Sequence, residues 1–254
     1  MNERLSKRIE ARIQQLEGRV SLYYQDLTRA EQRLEIDSRR TLAPASVIKL
    51  PILAHVMEQI HLGKADPGEI VPIRPGDRMP SCGALSYLHE GIQVTLRDVY
   101  TLMIIISDNT ACNLLIDRFG LENINATLSR LGLEDTRLNR KLFDTLAAAQ
   151  GLSNRATMRD MGRLLEMIYR KQLPGAQEMM EILLQQQINH KLPAFIGEDW
   201  PMAHKTGEDD GITLDVGIVL GERPFVLCVG ANDTRVPDCE YAMGEIAQWI
   251  LQDQ

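Results

Sequence analysis

Strand-like runs occur only near the two ends of this chain. "RVSLYYQDL" (19–27) and "QRLEIDS" (32–38) read as a hairpin around a polar turn. "WPMAHKTG" (200–207), "ITLDVGIVLG" (212–221) and "RPFVLCVGAND" (223–233) supply three more runs, the last two joined by the turn "GERP". Between these groups, from Ser46 to about Leu192, the apolar spacing is helical and broken by turns, as in "TLRDVYTLMIIIS" and "TMRDMGRLLEMIYR". This order predicts one antiparallel sheet assembled from both termini, with a helical lobe inserted between its halves. An opening helix with Leu5, Ile9, Ile13 and Leu16 on one stripe and a closing helix with Ala242, Ile246, Trp249 and Ile250 on one face are expected to cover the sheet. The expected fold class is α/β plus all-α. Residues 1–42 and 197–254 form a discontinuous α/β lobe, residues 43–196 the all-α lobe, and a ligand cleft lies between them.

With 44% hydrophobic and 25% charged residues, the 254-residue chain has the composition of an ordinary globular protein. Its formal net charge of −7 argues against nucleic acid or an anionic membrane surface as partner, because no basic face stands out to release counterions. "MNERLSKRIEARIQQLEGR" lacks the apolar core of a signal peptide, and no run approaches the ~18 apolar residues of a membrane span. The expected location is cytoplasmic. Cys82, Cys112, Cys228 and Cys239 show no metal spacing and are expected to be free thiols, buried or inert. His55, His61, His89, His190 and His204 show none either, so neither a metal nor a cofactor is expected; His204 is read as a strand side chain lining the cleft. "GDRMPSCGALSYLHEG" has no helical period and is expected to be a loop.

Three short motifs carry the chemistry: "SVIK" (Ser46 to Lys49), "SDN" (Ser107 to Asn109) and "KTG" (Lys205 to Gly207). Ser46 and Lys49 stand three apart, on one face of a helix that starts near them. Read structurally, they are an N-cap serine and a snorkelling lysine. Read chemically, they are a nucleophile and its base. Ser46 at a helix N-terminus has backbone N–H groups and the positive dipole end beside it, suited to an oxyanion. Lys49 takes the serine proton only when neutral, a state favoured by burial and by a second cation, for which Lys205 is the natural candidate. Ser107, at a junction of two helices, is placed to pass a proton to a leaving nitrogen, and the Asn109 amide to hold a substrate amide. Asp108 is expected to fix the turn. Lys205 and Thr206 are expected to receive a substrate carboxylate, and Gly207 to let the backbone approach closely.

In this order, the three motifs resemble the penicillin-recognising serine enzymes. "PASVIKLPI", "TLMIIISDNTACNLLI", "TRLNR" and "HKTGEDDG" are each similar to class A β-lactamase segments, so the resemblance covers nearly the whole chain. It implies the two-lobed fold above, an acyl-enzyme on Ser46, β-lactams as small-molecule substrates, and an oxyanion hole made by the N–H groups of Ser46 and Glu208. The loop after "RLNR" departs from the family pattern. The position two after Arg140, where class A enzymes carry the glutamate that activates the deacylating water, is Leu142, and no glutamate lies between Arg137 and Thr157. Asp144 is the nearest carboxylate. Asn154 stands where the family usually pairs the motif's last arginine with an aspartate. The expected activity is therefore serine hydrolysis with competent acylation and slow deacylation. Two alternatives stay open: a cytosolic esterase or amidase for small carboxylate-bearing substrates, and a sensor or sink that acylates once and remains modified.

Overall fold

The first and last thirds of the chain meet in one sheet. The computed structural model describes residues 2–197 and 199–253. In chain order these form α1 (Glu3–Gln14), β1 (Arg19–Asp26), β2 (Arg33–Ile36), α2 (Lys49–His61), β3 (Ile70–Pro72), β4 (Gln93–Thr95), α3 (Leu96–Ile105), α4 (Asn109–Phe119) and α5 (Leu121–Arg130). There follow α6 (Thr145–Ala149), α7 (Met158–Tyr169), α8 (Ala176–Leu184), α9 (Leu192–Ile196), β5 (Met202–Asp209), β6 (Ile212–Val219), β7 (Phe225–Asn232) and α10 (Val236–Gln252). The main sheet runs β2-β1-β7-β6-β5, antiparallel throughout, and β1 pairs with β7 along its whole length, from Arg19↔Asn232 to Asp26↔Phe225. The sheet predicted from both termini is therefore present, with β5 and its "KTG" on one edge.

Side-chain alternation divides β7 between two cores. Phe225, Leu227, Val229 and Ala231 pack with Leu5, Ile9 and Ile13 of α1 and with Met243, Ile246 and Ile250 of α10. Val226 and Cys228 face the other way, into the core shared with α2 and the helical lobe. Both faces are covered, which is why this strand reads as a continuous apolar run.

The helical lobe docks through α7, whose Gly162 and Glu166 share one face of the helix. A Cβ on Gly162 would stand 2.2 Å from the Tyr23 ring, so only glycine admits the ring there. Glu166 accepts the Tyr23 hydroxyl proton one turn on. Burial and this carboxylate push the Tyr23 pKa above the usual phenol range.

Two details differ from expectation. The predicted all-helical stretch contains a two-stranded antiparallel ribbon, β3 with β4, of three residues each. Such short strands leave no periodicity to read. The helix expected to begin at Ser46 begins instead as a 3₁₀ turn, Ala45–Ile48, and becomes regular only at Lys49. Pro51 explains the change, since it has no N–H to donate to the Val47 carbonyl.

His55, on α2, is buried at 2% exposure and its pKa falls to about 4, chiefly through burial. Its Nδ1 lies 2.7 Å from Thr127 Oγ1, whose proton goes to Glu58 at 2.7 Å, so Nδ1 donates. Among the described residues Nε2 is buried with no partner, so nothing there receives a second proton's charge. Because the folded pKa lies below the unfolded value near 6.5, this residue's stabilisation is complete above pH 6.5, declines as the pH falls, and is gone below about pH 4. Denaturant titrations at pH 7 and pH 4 are expected to show the wild type losing up to about 3 kcal/mol more than His55→Gln. Equal losses would mean that His55 does not titrate in this window.

Candidate active site

The turn that carries Ser46 is fixed from both sides. Leu42 and Ala156 exchange backbone hydrogen bonds of 2.9 and 3.1 Å, and the Asn232 side chain at the end of β7 holds both backbone groups of Ala43. On the other side lies β5. A Cβ on Gly207 would stand 2.9 Å from the Pro44 carbonyl and 3.2 Å from the Ser46 nitrogen, so glycine permits this close packing.

Lys49 is fully buried, and its ammonium nitrogen reaches four oxygens: Ser46 Oγ at 2.9 Å, Ser107 O at 2.7 Å, Asn109 Oδ1 at 2.7 Å and Ser107 Oγ at 3.1 Å. The Ser107 carbonyl and Asn109 Oδ1 can only accept, so each takes one N–H. The third position, shared between Ser46 Oγ and Ser107 Oγ, is an N–H when Lys49 is charged and a lone pair when it is neutral. Burial lowers the Lys49 pKa, opposed by the weaker attractions of Cys112, Cys82 and Asp108.

Lys205 is equally buried and donates to Ser107 Oγ at 3.1 Å and to the Thr206 carbonyl at 2.8 Å. Its pKa lies well below the lysine range, first through burial and then through the charge of Lys49. The repulsion between two such close ammonium groups is mutual, so a proton on one disfavours a proton on the other. With two lysines donating to it, the Ser107 hydroxyl has its own proton left to point elsewhere.

Ser107 takes this position with φ at 56°, a left-handed conformation between α3 and α4. Asp108 then starts α4: its Oδ1 accepts from Ala111 N at 2.9 Å, while Oδ2 accepts from Ala84 N at 2.7 Å and Leu85 N at 2.8 Å. It fixes the turn and also clips the expected loop over the cleft. Asn109 donates through Nδ2 to the Pro80 carbonyl at 3.1 Å, leaving one N–H of its amide for a ligand.

A cavity of about 400 Å³ opens beside these groups, lined by Ser46, Asn109, Ser81, Cys82, Leu142 and Glu208 among others, and extending to Arg140 and Asn154. Lys49, Ser107, Lys205 and Thr206 form a buried layer behind Ser46 and Asn109. Leu142 faces the cavity because Asn113 holds its backbone at two points, accepting from its N–H at 2.9 Å and donating to its carbonyl at 3.0 Å. Asp144 lines the cavity as well, but its Oδ1 caps α6 through Ala147 N at 2.9 Å. Asn154 clasps the loop through the backbone of Asn139 and Arg140 and makes no bond to the guanidinium.

His204 does not line the cleft as expected; it is buried between Asp215, 2.8 Å from Nδ1, and Asn189, 3.0 Å from Nε2. Lys191 escaped the sequence reading altogether. It is fully buried, donates to the Gly207 carbonyl at 2.9 Å and pairs with Glu208 at 3.3 Å and Glu240 at 3.5 Å, bracing β5. His190 completes that cluster, in which the Lys191 ammonium already supplies the positive charge. No periodicity or motif marks a lone lysine ahead of α9.

Residues 4–254 match the model of the β-lactamase enzyme family. The chain belongs to that family. A β-lactamase regulatory protein, BlaB, of Streptomyces cacaoi is 25% identical over 85% of each chain. A β-lactamase from Sphaerobacter thermophilus superposes with a TM-score of 0.89 at 26% identity, covering 100% of this chain and 98% of that one. A leucine-to-glutamate variant of PBP-A, in an acyl-enzyme complex with penicillin G, is equally close: TM-score 0.89, 26% identity, 98% of this chain and 96% of that one. The fold of this β-lactamase family member is that of the class A enzymes.

Asp108 thus ties the turn that carries Ser107 to the loop over the cleft. Asp108→Ala is expected to cost about 2–4 kcal/mol in denaturant titrations, since it removes several hydrogen bonds to one buried carboxylate. Asp108→Asn, which keeps an acceptor, should cost less. Equal stability of wild type and Asp108→Ala would show that the clip contributes nothing.

Proposed function

We propose that this protein attacks β-lactams through Ser46, forms an acyl-enzyme, and releases it slowly. One observation carries the reading: Lys49, depressed in pKa by burial, is oriented by two acceptor oxygens so that its third position meets Ser46 Oγ at 2.9 Å. Neutral Lys49 accepts the Ser46 proton as the oxygen bonds to the lactam carbonyl carbon. The oxyanion is held by the N–H groups of Ser46 and Glu208. The C–N bond then breaks, and the proton travels from Lys49 through Ser107 to the leaving nitrogen. Lys205 and Thr206 receive the substrate carboxylate, which restores the charge on Lys205. Asn109 holds the side-chain amide, and Gly207 lets the substrate lie close to β5.

Deacylation needs a base for water, and the wall at that place presents Leu142. Asp144 is the only acid of the loop, and its carboxylate is engaged as a helix cap. The same wall favours a second reading, a sensor or sink for which the acyl-enzyme is the end point. Turnover separates the two, because an enzyme cycles and a sink stops at one equivalent. The family membership and the likeness to a penicillin acyl-enzyme support β-lactams as the substrate class.

A chromogenic cephalosporin is expected to give a burst of about one equivalent and then a slow steady phase, with an intact-mass adduct that persists. Ser46→Ala should form no adduct, and Lys49→Ala should acylate ~10² to 10⁴ times more slowly. Leu142→Glu should quicken the steady phase, whereas Asp144→Asn should leave it unchanged. Fast turnover without burst or adduct would overturn slow deacylation, and an adduct on Ser46→Ala would remove Ser46 as nucleophile.

A further inference from the structure

Resting on the acylation reading above, we infer that Arg140 recognises a carboxylate carried on the acyl side chain of the substrate. Among the described residues lining the cavity, Arg140 is the only lysine or arginine. Its guanidinium has no carboxylate partner among them: Nη1 donates to the Lys141 carbonyl at 3.1 Å, and Nε is buried with no partner. The neighbouring Lys141, by contrast, is paired with Asp117 at 2.6 Å. The Asn154 amide is spent on the backbone of Asn139 and Arg140.

The acids lining the same cavity are better compensated. Glu208 pairs with Lys191 at 3.3 Å and His190 at 3.5 Å. Asp144 accepts the Ala147 N–H. Asp209 is exposed to solvent and accepts the Asp210 N–H. Arg140 therefore stands without a counter-ion among the described residues, in a shape suited to two parallel hydrogen bonds with a carboxylate. Asn109, Leu142 and Arg140 line the same cavity, so the substrate side chain that leaves the Asn109 amide shares its space with the Arg140 guanidinium. The ligand class is an acyl donor whose side chain ends in a carboxylate several carbons beyond its amide, such as a glutaryl or adipoyl derivative.

The test uses penicillins with glutaryl and adipoyl side chains, neutral alkanoyl analogues of equal length, and ω-amino analogues. Dissociation constants are measured by calorimetry on Ser46→Ala, and acylation rates by intact mass on the wild-type chain. At one chain length the carboxylate is expected to bind roughly tenfold or more tighter than the neutral analogue, as for hydrogen bonds to a charged group. Arg140→Gln should bring that ratio to about one, and Arg140→Lys should keep part of it. Equal binding of the three classes, preference for the ammonium, or a ratio unchanged in Arg140→Gln would overturn the inference. If Arg140→Gln loosens the loop, both analogues weaken together and the ratio persists, which also overturns it. Failure of Ser46 acylation appears separately, as no adduct with any analogue, while the calorimetric ratio still decides the role of Arg140.

Discussion

Two buried lysines donating to one serine hydroxyl form the interaction on which the rest of this site depends. Lys49 and Lys205 each lie 3.1 Å from Ser107 Oγ, and neither is exposed. Two cations this close and this dry cannot both hold their protons at ordinary lysine pKa values. The strain resolves by deprotonation, and the fold decides what each amine then faces: Lys49 faces Ser46, while Lys205 lies on the strand proposed to receive an anionic substrate. Such a pair costs stability in the empty protein. It persists because an all-antiparallel sheet covered on both faces and a helical lobe hold it from opposite sides.

The strand edge and the lobe are connected through small residues at points of contact. Gly207 lets β5 lie against the Ser46 turn, and Gly162 lets α7 lie on Tyr23. Asp108 gathers backbone N–H groups from α4 and from the loop over the cleft, so the position of Ser107 and the cavity's roof are set together. Asn113 does the same for Leu142 on the opposite wall. Ser107 and the leucine wall are thus both held by polar side chains of the helical lobe.

Much of this was legible in the amino-acid order. The five strands of the main sheet announced themselves as strand-like runs, and β7 most clearly because both of its faces are buried. The residues of "SVIK", "SDN" and "KTG" converge, with Lys49 touching Ser46, Ser107 and Asn109. What escaped were features without local period. The β3–β4 ribbon is too short to alternate visibly. Lys191 becomes significant only through Gly207, Glu208 and Glu240, residues that folding brings to it. His204 was placed in the cleft because it precedes "KTG", yet it is buried against Asp215, a partner that only the pairing of β5 with β6 supplies. That Arg140 loses an ion pair follows from Asn154 in the sequence, and among the described residues it has none; that Asn154 binds the loop backbone instead emerges only in the fold.

The central claim is that Lys49 works as a neutral amine whose pKa is lowered by burial. The most direct measurement is the rate constant for acylation of Ser46 against pH, read by rapid-quench intact mass with a β-lactam whose own charge is constant over the range. The account predicts a rate that rises with pH along a single ionisation below the ordinary lysine range, because deprotonation turns the position toward Ser46 from donor to acceptor. A rate that climbs only through the ordinary lysine range, or that falls as the pH rises, would contradict it and place the base elsewhere.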